Sequence, residues 1–277
     1  MPYDPSSILL THRVAIVTGA GQGIGRATAE LLVGFGATVA VCDKNSDLLD
    51  DAAVELGGDD RPLMARHLDV RDTPAVDRFV TEVVDVHGRV DVLVNNAGGT
   101  FFAPFMDLNE KGEDTLVLEN FTQVTRLVRR VVPHMPAGAS IVNLTSIEAH
   151  QAAPGFAVYG AMKAAVAHLT RTLALELAPR GIRVNAIAPD AIPTGGDRDV
   201  RAEMLTGGAD YEPAVMPPAG SFGTGSDAAA VVVFLASDLA RFVTGTTVHV
   251  DGGAWAAGGW RRLAGHETAG RPSLDPP

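Results

Sequence analysis

Tyr159 and Lys163 are the two side chains of this sequence best placed to move a proton between them. They stand at the head of residues 155–178, and four residues of helix put both on one face, about one turn apart. Beyond Lys163 the segment is rich in Ala and Leu, with no Pro or Gly before Pro179 and Gly181, which predicts a helix with a sharp stop. A phenol titrates near ~10 and is a poor base at neutral pH, but an ammonium beside it favours the phenolate. Such a pair can take a proton from an alcohol or return one to a ketone oxygen. Taken alone, the pair is more often an exposed Tyr beside an exposed Lys. The rest of the chain decides between the two.

A helix carrying that pair needs a scaffold, and the pattern supplies one. Short β-branched apolar runs fall at residues 14–17, 38–42, 63–68, 90–94, 140–144, 183–187 and 246–250. Helical segments lie between most of them, at 24–33, 47–56, 74–86, 115–132, the Tyr159 segment and 227–237. Apolar strands alternating with helices predict an α/β fold: a doubly wound, seven-stranded parallel sheet with helices on both faces. No repeat and no composition break divides residues 1–277, so one domain is expected, with its core over about 13–253.

The first strand runs directly into Thr18-Gly19-Ala20-Gly21-Gln22-Gly23-Ile24-Gly25, which opens a helix at Arg26. Glycines there allow a tight turn and let a pyrophosphate reach the helix N-terminus, where free N–H groups and the dipole favour an anion. The loop sits between strand and helix, as a dinucleotide-binding site requires. The second strand ends at Asp43, where a carboxylate can accept from ribose hydroxyls and would repel a 2′-phosphate. No Arg lies in the loop before Arg26, and Lys44 is the base nearest in sequence. NAD is therefore expected as cofactor, NADP less so; the bland reading of Asp43 is a solvated cap for the next helix.

These pieces, taken in order, resemble the short-chain dehydrogenase/reductase family across about residues 13–253. The resemblance rests on the glycine loop, Asp69-Val70, Asn95-Asn96-Ala97-Gly98, Asn120, Ser146, Tyr159-x-x-x-Lys163 and Val250-Asp251-Gly252-Gly253. It implies a single-domain Rossmann fold and a catalytic set of Asn120, Ser146, Tyr159 and Lys163. Tyr159 would be the general acid/base, and Lys163 would lower its pKa and hold the nicotinamide ribose. Ser146 would hydrogen-bond the reacting oxygen, and Asn120 would position a water leading from Lys163 to solvent. For the cofactor it implies Gly19, Gly21, Gln22, Gly23, Ile24, Gly25 and Asp43. Asp69 and Val70 would meet the adenine, Asn96 would be structural, and Ala97 and Gly98 would let the adenosine ribose approach. Pro189, Ile192 and Thr194 would hold the carboxamide and phosphates.

Three places depart from the family's pattern. Pro189 is followed by Asp190 where relatives usually have Gly, and Ser221 stands where they often have Arg. Glu148, His150 and Gln151 follow Ser146 where many relatives have small residues, so one of them is a candidate for a polar substrate group, a solvated turn being the equal alternative. Residues 189–225, with Met204, Met216, Tyr211 and Phe222, would form a substrate lid, and their Met and aromatic content points to a mostly apolar substrate. The tail, 254–277, would add a wall to the pocket; Arg261 and Arg262 within it could meet a substrate phosphate but read first as solvated.

Composition narrows the classes. The chain of 277 residues has 22 basic against 33 acidic residues, a net charge of −11, which disfavours nucleic acid or an anionic membrane as partner. With Cys42 as the single cysteine, neither an internal disulfide nor a cysteine-based metal cluster is possible. No long apolar run or leader is evident, so no membrane association and a cytoplasmic location are expected. The resemblance also implies a homotetramer, or a homodimer, built from the long helices. The leading expectation is an NAD-dependent enzyme (EC 1.1.1.-) acting on a secondary alcohol or ketone, steroid-like or acyl-thioester-like. The alternative is a 3-oxoacyl-thioester reductase, a branch that more often uses NADPH. A non-catalytic NAD sensor is the third reading, one that the intact catalytic set disfavours.

Overall fold

Seven parallel strands form one sheet: β1 (Val14–Thr18), β2 (Thr38–Asp43), β3 (Leu63–His67), β4 (Val92–Asn95), β5 (Ser140–Leu144), β6 (Arg183–Pro189) and β7 (Thr247–Val250). Their spatial order is β3-β2-β1-β4-β5-β6-β7, the doubly wound topology the alternating pattern predicts. The computed structural model describes residues 3–57, 63–190, 192–193 and 217–258. Among these, no helix is long and apolar enough to cross a membrane.

Each strand sends alternate side chains to opposite faces, and both faces are apolar. Ala15, Val17, Val39, Val41, Val94 and Leu144 pack beneath α1 (Gly23–Gly34), α2 (Ser46–Leu56) and α7 (Gly225–Ala236). Ile16, Ala40, Cys42, Leu93, Ile141 and Val184 pack beneath α3 (Thr73–His87), α5 (Gln123–Val131) and α6 (Ala157–Leu177). That two-sided burial explains why the strands read as continuous β-branched runs. Burial also pushes the Cys42 thiol up to about 12, which leaves it an inert core residue.

The long helix expected over 115–132 is corrected in two ways. It starts earlier, as α4 (Glu110–Val117), because Asn109 caps it by accepting from the Gly112 amide at 2.9 Å. It then widens into one π-turn, Leu118–Thr122, before continuing as α5. Propensity carries no signal for that turn, which holds the buried Asn120.

Strand order reverses between β1 and β4, which pair directly. A crevice opens beyond the carboxyl ends of two such strands, the usual ligand position in this architecture. A buried polar ladder fixes α6 over it. Asn95 Nδ2 donates to Asn143 Oδ1 at 2.7 Å, and Asn143 Nδ2 donates to Thr170 Oγ1 at 2.9 Å. These groups are fully or almost fully buried, so slipping α6 along the sheet would strand them unpaired.

Candidate active site

The head of α6 overhangs the ends of β4 and β5. Lys163 is 5% exposed, and its ammonium donates to the Leu144 carbonyl at 3.1 Å. Its Nζ lies 5.5 Å from the centroid of the Tyr159 ring, so the two side chains do share a face. Burial pushes the Lys163 pKa down to about 8, against the opposing pull of the Glu148 and Glu119 carboxylates. The bland reading of an exposed pair is thereby excluded for Lys163.

Asn120 reaches the same place from the π-turn. It is almost fully buried, and its Nδ2 donates to the Gly99 carbonyl at 2.8 Å and the Leu116 carbonyl at 3.0 Å. A π-turn makes room for this by releasing a backbone carbonyl from the regular ladder. Gly98 lies between Asn120 and Lys163: a Cβ there would sit 2.9 Å from Asn120 Oδ1 and 3.2 Å from Lys163 Nζ. Ser146, at the end of β5, is buried and donates its hydroxyl hydrogen to the Glu148 carboxylate.

The residues expected to cradle a dinucleotide converge at the switch point. Gln22 gives α1 no side-chain cap, so the first amides of that helix are left to meet an anion. A Cβ at Gly25 would collide with the Gly19 carbonyl and Asn96 Nδ2, which explains the glycine as a packing requirement. Asn96 donates to the Thr18 carbonyl at 2.8 Å and the Gly19 carbonyl at 2.9 Å, the structural part expected of it. Ile24 packs partly buried against the core, as Val70 does on the other face of the sheet. Asp43 accepts from the amides of Gly21 and Asn45, each at 2.9 Å, so its carboxylate lies directly against the loop. The chemistry of this donor set fits a dinucleotide: amides and a helix terminus for the phosphates, a carboxylate for ribose hydroxyls.

Sequence proximity gave Lys44 as the nearby base, but folding adds Arg71. Arg71 holds Asp69 through both carboxylate oxygens, with contacts of 2.6–3.0 Å, and keeps that carboxyl below the usual range. Lys44 in turn pairs with Glu119 at 3.0 Å. Glu119, Arg71 and the buried Gln123, whose Nε2 donates to the Ala97 carbonyl at 2.9 Å, were missed in the sequence. Adjacency to Asn120 was the one available signal for Glu119.

Not every candidate joins the site. His150 packs against His249 and Trp255, with ring centroids 4.7 and 6.3 Å away, while Gln151 lies at the surface. Pro189 ends β6, and Ile192 is buried in the core near Gly223. Thr194, Met204, Tyr211, most of the expected lid, and Arg261 and Arg262 lie outside the described residues. Among the described residues no three metal-binding side chains come together.

Comparison with known proteins bears on this geometry. The family model described as enoyl-(acyl carrier protein) reductase matches residues 19–254. A 3-oxoacyl-(acyl-carrier-protein) reductase of Thermotoga maritima is 38% identical over 246 residues, covering 88% of this chain and 98% of its own. Dehydrogenase/reductase SDR family member 4 of Homo sapiens is 36% identical over 249 residues, covering 88% of each chain. Among solved structures, a 7α-hydroxysteroid dehydrogenase in complex with NADH and 7-oxoglycochenodeoxycholic acid superposes with a TM-score of 0.82. It is 30% identical, and the match covers 91% of this chain and 98% of that one.

Proposed function

The chain belongs to the short-chain dehydrogenase/reductase family of oxidoreductases, and on that premise we propose that it transfers a hydride between NAD and a secondary alcohol or the matching ketone. The observation that carries the reading is that the buried Lys163 ammonium meets Asn120 across Gly98 and lies beside the Tyr159 ring. A buried ammonium held 5.5 Å from the Tyr159 ring favours the phenolate and fits Tyr159 as general base. In alcohol oxidation the carbinol O–H proton passes to Tyr159 Oη as the carbinol C–H bond gives up its electron pair. When bound, the nicotinamide supplies the hydride acceptor or donor. Ser146 Oγ steadies the reacting oxygen. Asn120, fixed by Gly99 and Leu116, sits where a proton path from Lys163 begins.

Asp43 is the support for NAD over NADP. Its two oxygens are held by backbone amides, so it cannot swing aside for a 2′-phosphate, and Lys44 and Arg71 are engaged by carboxylates. The NADH carried by the structurally similar 7α-hydroxysteroid dehydrogenase agrees. An apolar body for the substrate is supported by Phe102 and Phe156, packed edge to face at 5.8 Å beside the head of α6. Exposed Leu175, Phe234, Phe242 and Trp255 support an oligomer, a homotetramer or homodimer, of a cytoplasmic enzyme.

A second reading, reduction of a 3-oxoacyl thioester with NADPH, is favoured by the names of the 38%-identical relatives. One experiment separates the two. Purified protein is assayed with NADH and NADPH against ketones, steroids and 3-oxoacyl thioesters, and with NAD against the corresponding alcohols. Turnover of an alcohol–ketone pair with NAD(H) supports the first reading; NADPH-dependent thioester reduction replaces it with the second.

A further inference from the structure

Glu148 is a carboxylate beside the reacting groups that the proposed chemistry leaves unused; Glu119, which also acts on Lys163, is paired with Lys44. Glu148 stands on the short turn Ile147–Ala149 that follows Ser146. The turn is closed by the Ala149 amide on the Ser146 carbonyl at 3.1 Å and the His150 amide on the Ile147 carbonyl at 2.8 Å. It also rests on α6: a Cβ at Gly160, next to Tyr159, would lie 3.0 Å from the Glu148 carbonyl. The backbone that carries this side chain is therefore fixed beside Ser146 and the head of α6. The carboxylate accepts the Ser146 hydroxyl hydrogen and acts electrostatically on Lys163.

A carboxylate at the mouth of a reacting site has two oxygens and several acceptor positions, and Ser146 fills one of them. Once Ser146 turns its hydrogen to the reacting oxygen of a substrate, even that one is lost. Glu148 is only partly exposed, and covering a charge without replacing its hydrogen bonds is unfavourable, so a substrate that suits this site donates to Glu148. The Lys163 ammonium nearby disfavours a cationic donor, leaving a neutral hydroxyl. The spacing then sets its place. Ser146 Oγ and the Glu148 carboxylate are a single hydrogen bond apart, a span that two oxygens on adjacent carbons match.

We propose that Glu148 is a specificity-determining residue that receives the second hydroxyl of a vicinal diol. The inference rests on the alcohol-oxidising reading above and narrows its substrate class. Oxidation breaks the C–H and O–H bonds of one carbinol, with hydride passing to NAD and the proton to Tyr159. The neighbouring hydroxyl stays on Glu148, so the products are an α-hydroxy ketone, NADH and a proton.

The test compares the vicinal cyclohexanediols, cis and trans, with cyclohexanol, using wild type, Glu148→Ala and the isosteric Glu148→Gln. Two quantities are read: kcat/KM with NAD, and dissociation constants from the NADH-loaded protein by nicotinamide fluorescence. Wild type is expected to favour a diol over cyclohexanol by about 10- to 100-fold, the worth of one hydrogen bond to a charged acceptor. In Glu148→Ala that ratio falls to parity, with Glu148→Gln between. Equal handling of the pair by wild type, or a preference that survives in both variants, overturns the proposal. Tyr159-dependent turnover without diol preference would leave the alcohol-oxidising reading standing and remove this one. Diol-selective binding lost in Glu148→Ala, with no turnover of any alcohol, would keep the diol site and remove the hydride-transfer reading.

Discussion

The Asp43 carboxylate accepts the amide hydrogen of Gly21 at 2.9 Å, so the charge that closes β2 also fastens the glycine loop. A second phosphate on the adenosine ribose would have to sit against that charge. Asp43→Asn keeps a carbonyl acceptor for the loop and removes the repulsion. NADPH affinity is then expected to rise at least about tenfold relative to NADH, because juxtaposed like charges cost kilocalories. Fluorescence titrations of wild type and variant with both cofactors measure the ratio, and an unchanged ratio would remove Asp43 as the selector.

Burying Lys163 beside Tyr159 carries a cost in stability. Its folded pKa, about 8, lies below the ordinary 10.5. Between those values the unfolded chain binds the extra proton, so this group's contribution to stability rises with pH through that window. Below pH 8 the charged, buried ammonium costs about 3 kcal/mol. Lys163→Met is therefore expected to raise the thermal midpoint of the cofactor-free protein at pH 7 while abolishing turnover. Its advantage over wild type should shrink as pH climbs toward 10.5. A variant less stable than wild type at pH 7 would show that the hydrogen bond to Leu144 outweighs the desolvation.

Gly98→Ala tests the convergence of Asn120 and Lys163 without touching either. The new Cβ would press on Asn120 Oδ1 at 2.9 Å and Lys163 Nζ at 3.2 Å. Displacing catalytic groups by a fraction of an ångström to an ångström costs up to about a hundredfold in rate. The expected outcome is a kcat lower by about ten- to a hundredfold with an unchanged circular dichroism spectrum. A kcat equal to wild type would mean that the two side chains need not meet there.

The sheet was legible in the sequence because both of its faces are buried, which writes each strand as an uninterrupted apolar run. The candidate site was legible because Tyr159 and Lys163 sit at helical spacing and Ser146 lies just beyond a strand. What escaped notice was set by side-chain contacts that only the folded chain makes. The π-turn at Asn120 accompanies bonds from its side-chain amide to Gly99 and Leu116, and no local propensity encodes that. Arg71 folds back on Asp69 two residues away, a side-chain contact that the sequence pattern does not show. The Glu148 carboxylate was visible as a departure from small residues, but its bond to Ser146 required the turn to be seen. His150, a candidate pocket residue in the sequence, packs edge-on against His249 and Trp255, neighbours that no local pattern shows.

The buried ladder from Asn95 through Asn143 to Thr170 predicts a structural effect separable from chemistry. Thr170→Val keeps the side-chain shape and leaves Asn143 Nδ2 without its acceptor. An unsatisfied buried donor costs about 1–3 kcal/mol, which should appear as a lower denaturation midpoint. Because Tyr159 lies three turns away along α6, kcat at moderate temperature should change less than threefold or so. A stability equal to wild type would mean the ladder is dispensable.

The central claim is that Tyr159 moves the proton while Lys163, Ser146 and Asn120 prepare the site. Its most direct test is Tyr159→Phe, which removes a single oxygen, with NAD-linked alcohol oxidation and NADH binding measured on the same preparation. The account predicts a kcat lower by about 100- to 10,000-fold, the usual contribution of a positioned acid or base, with NADH affinity retained within a few-fold. Turnover close to wild type in that variant would contradict it, whatever the substrate proves to be.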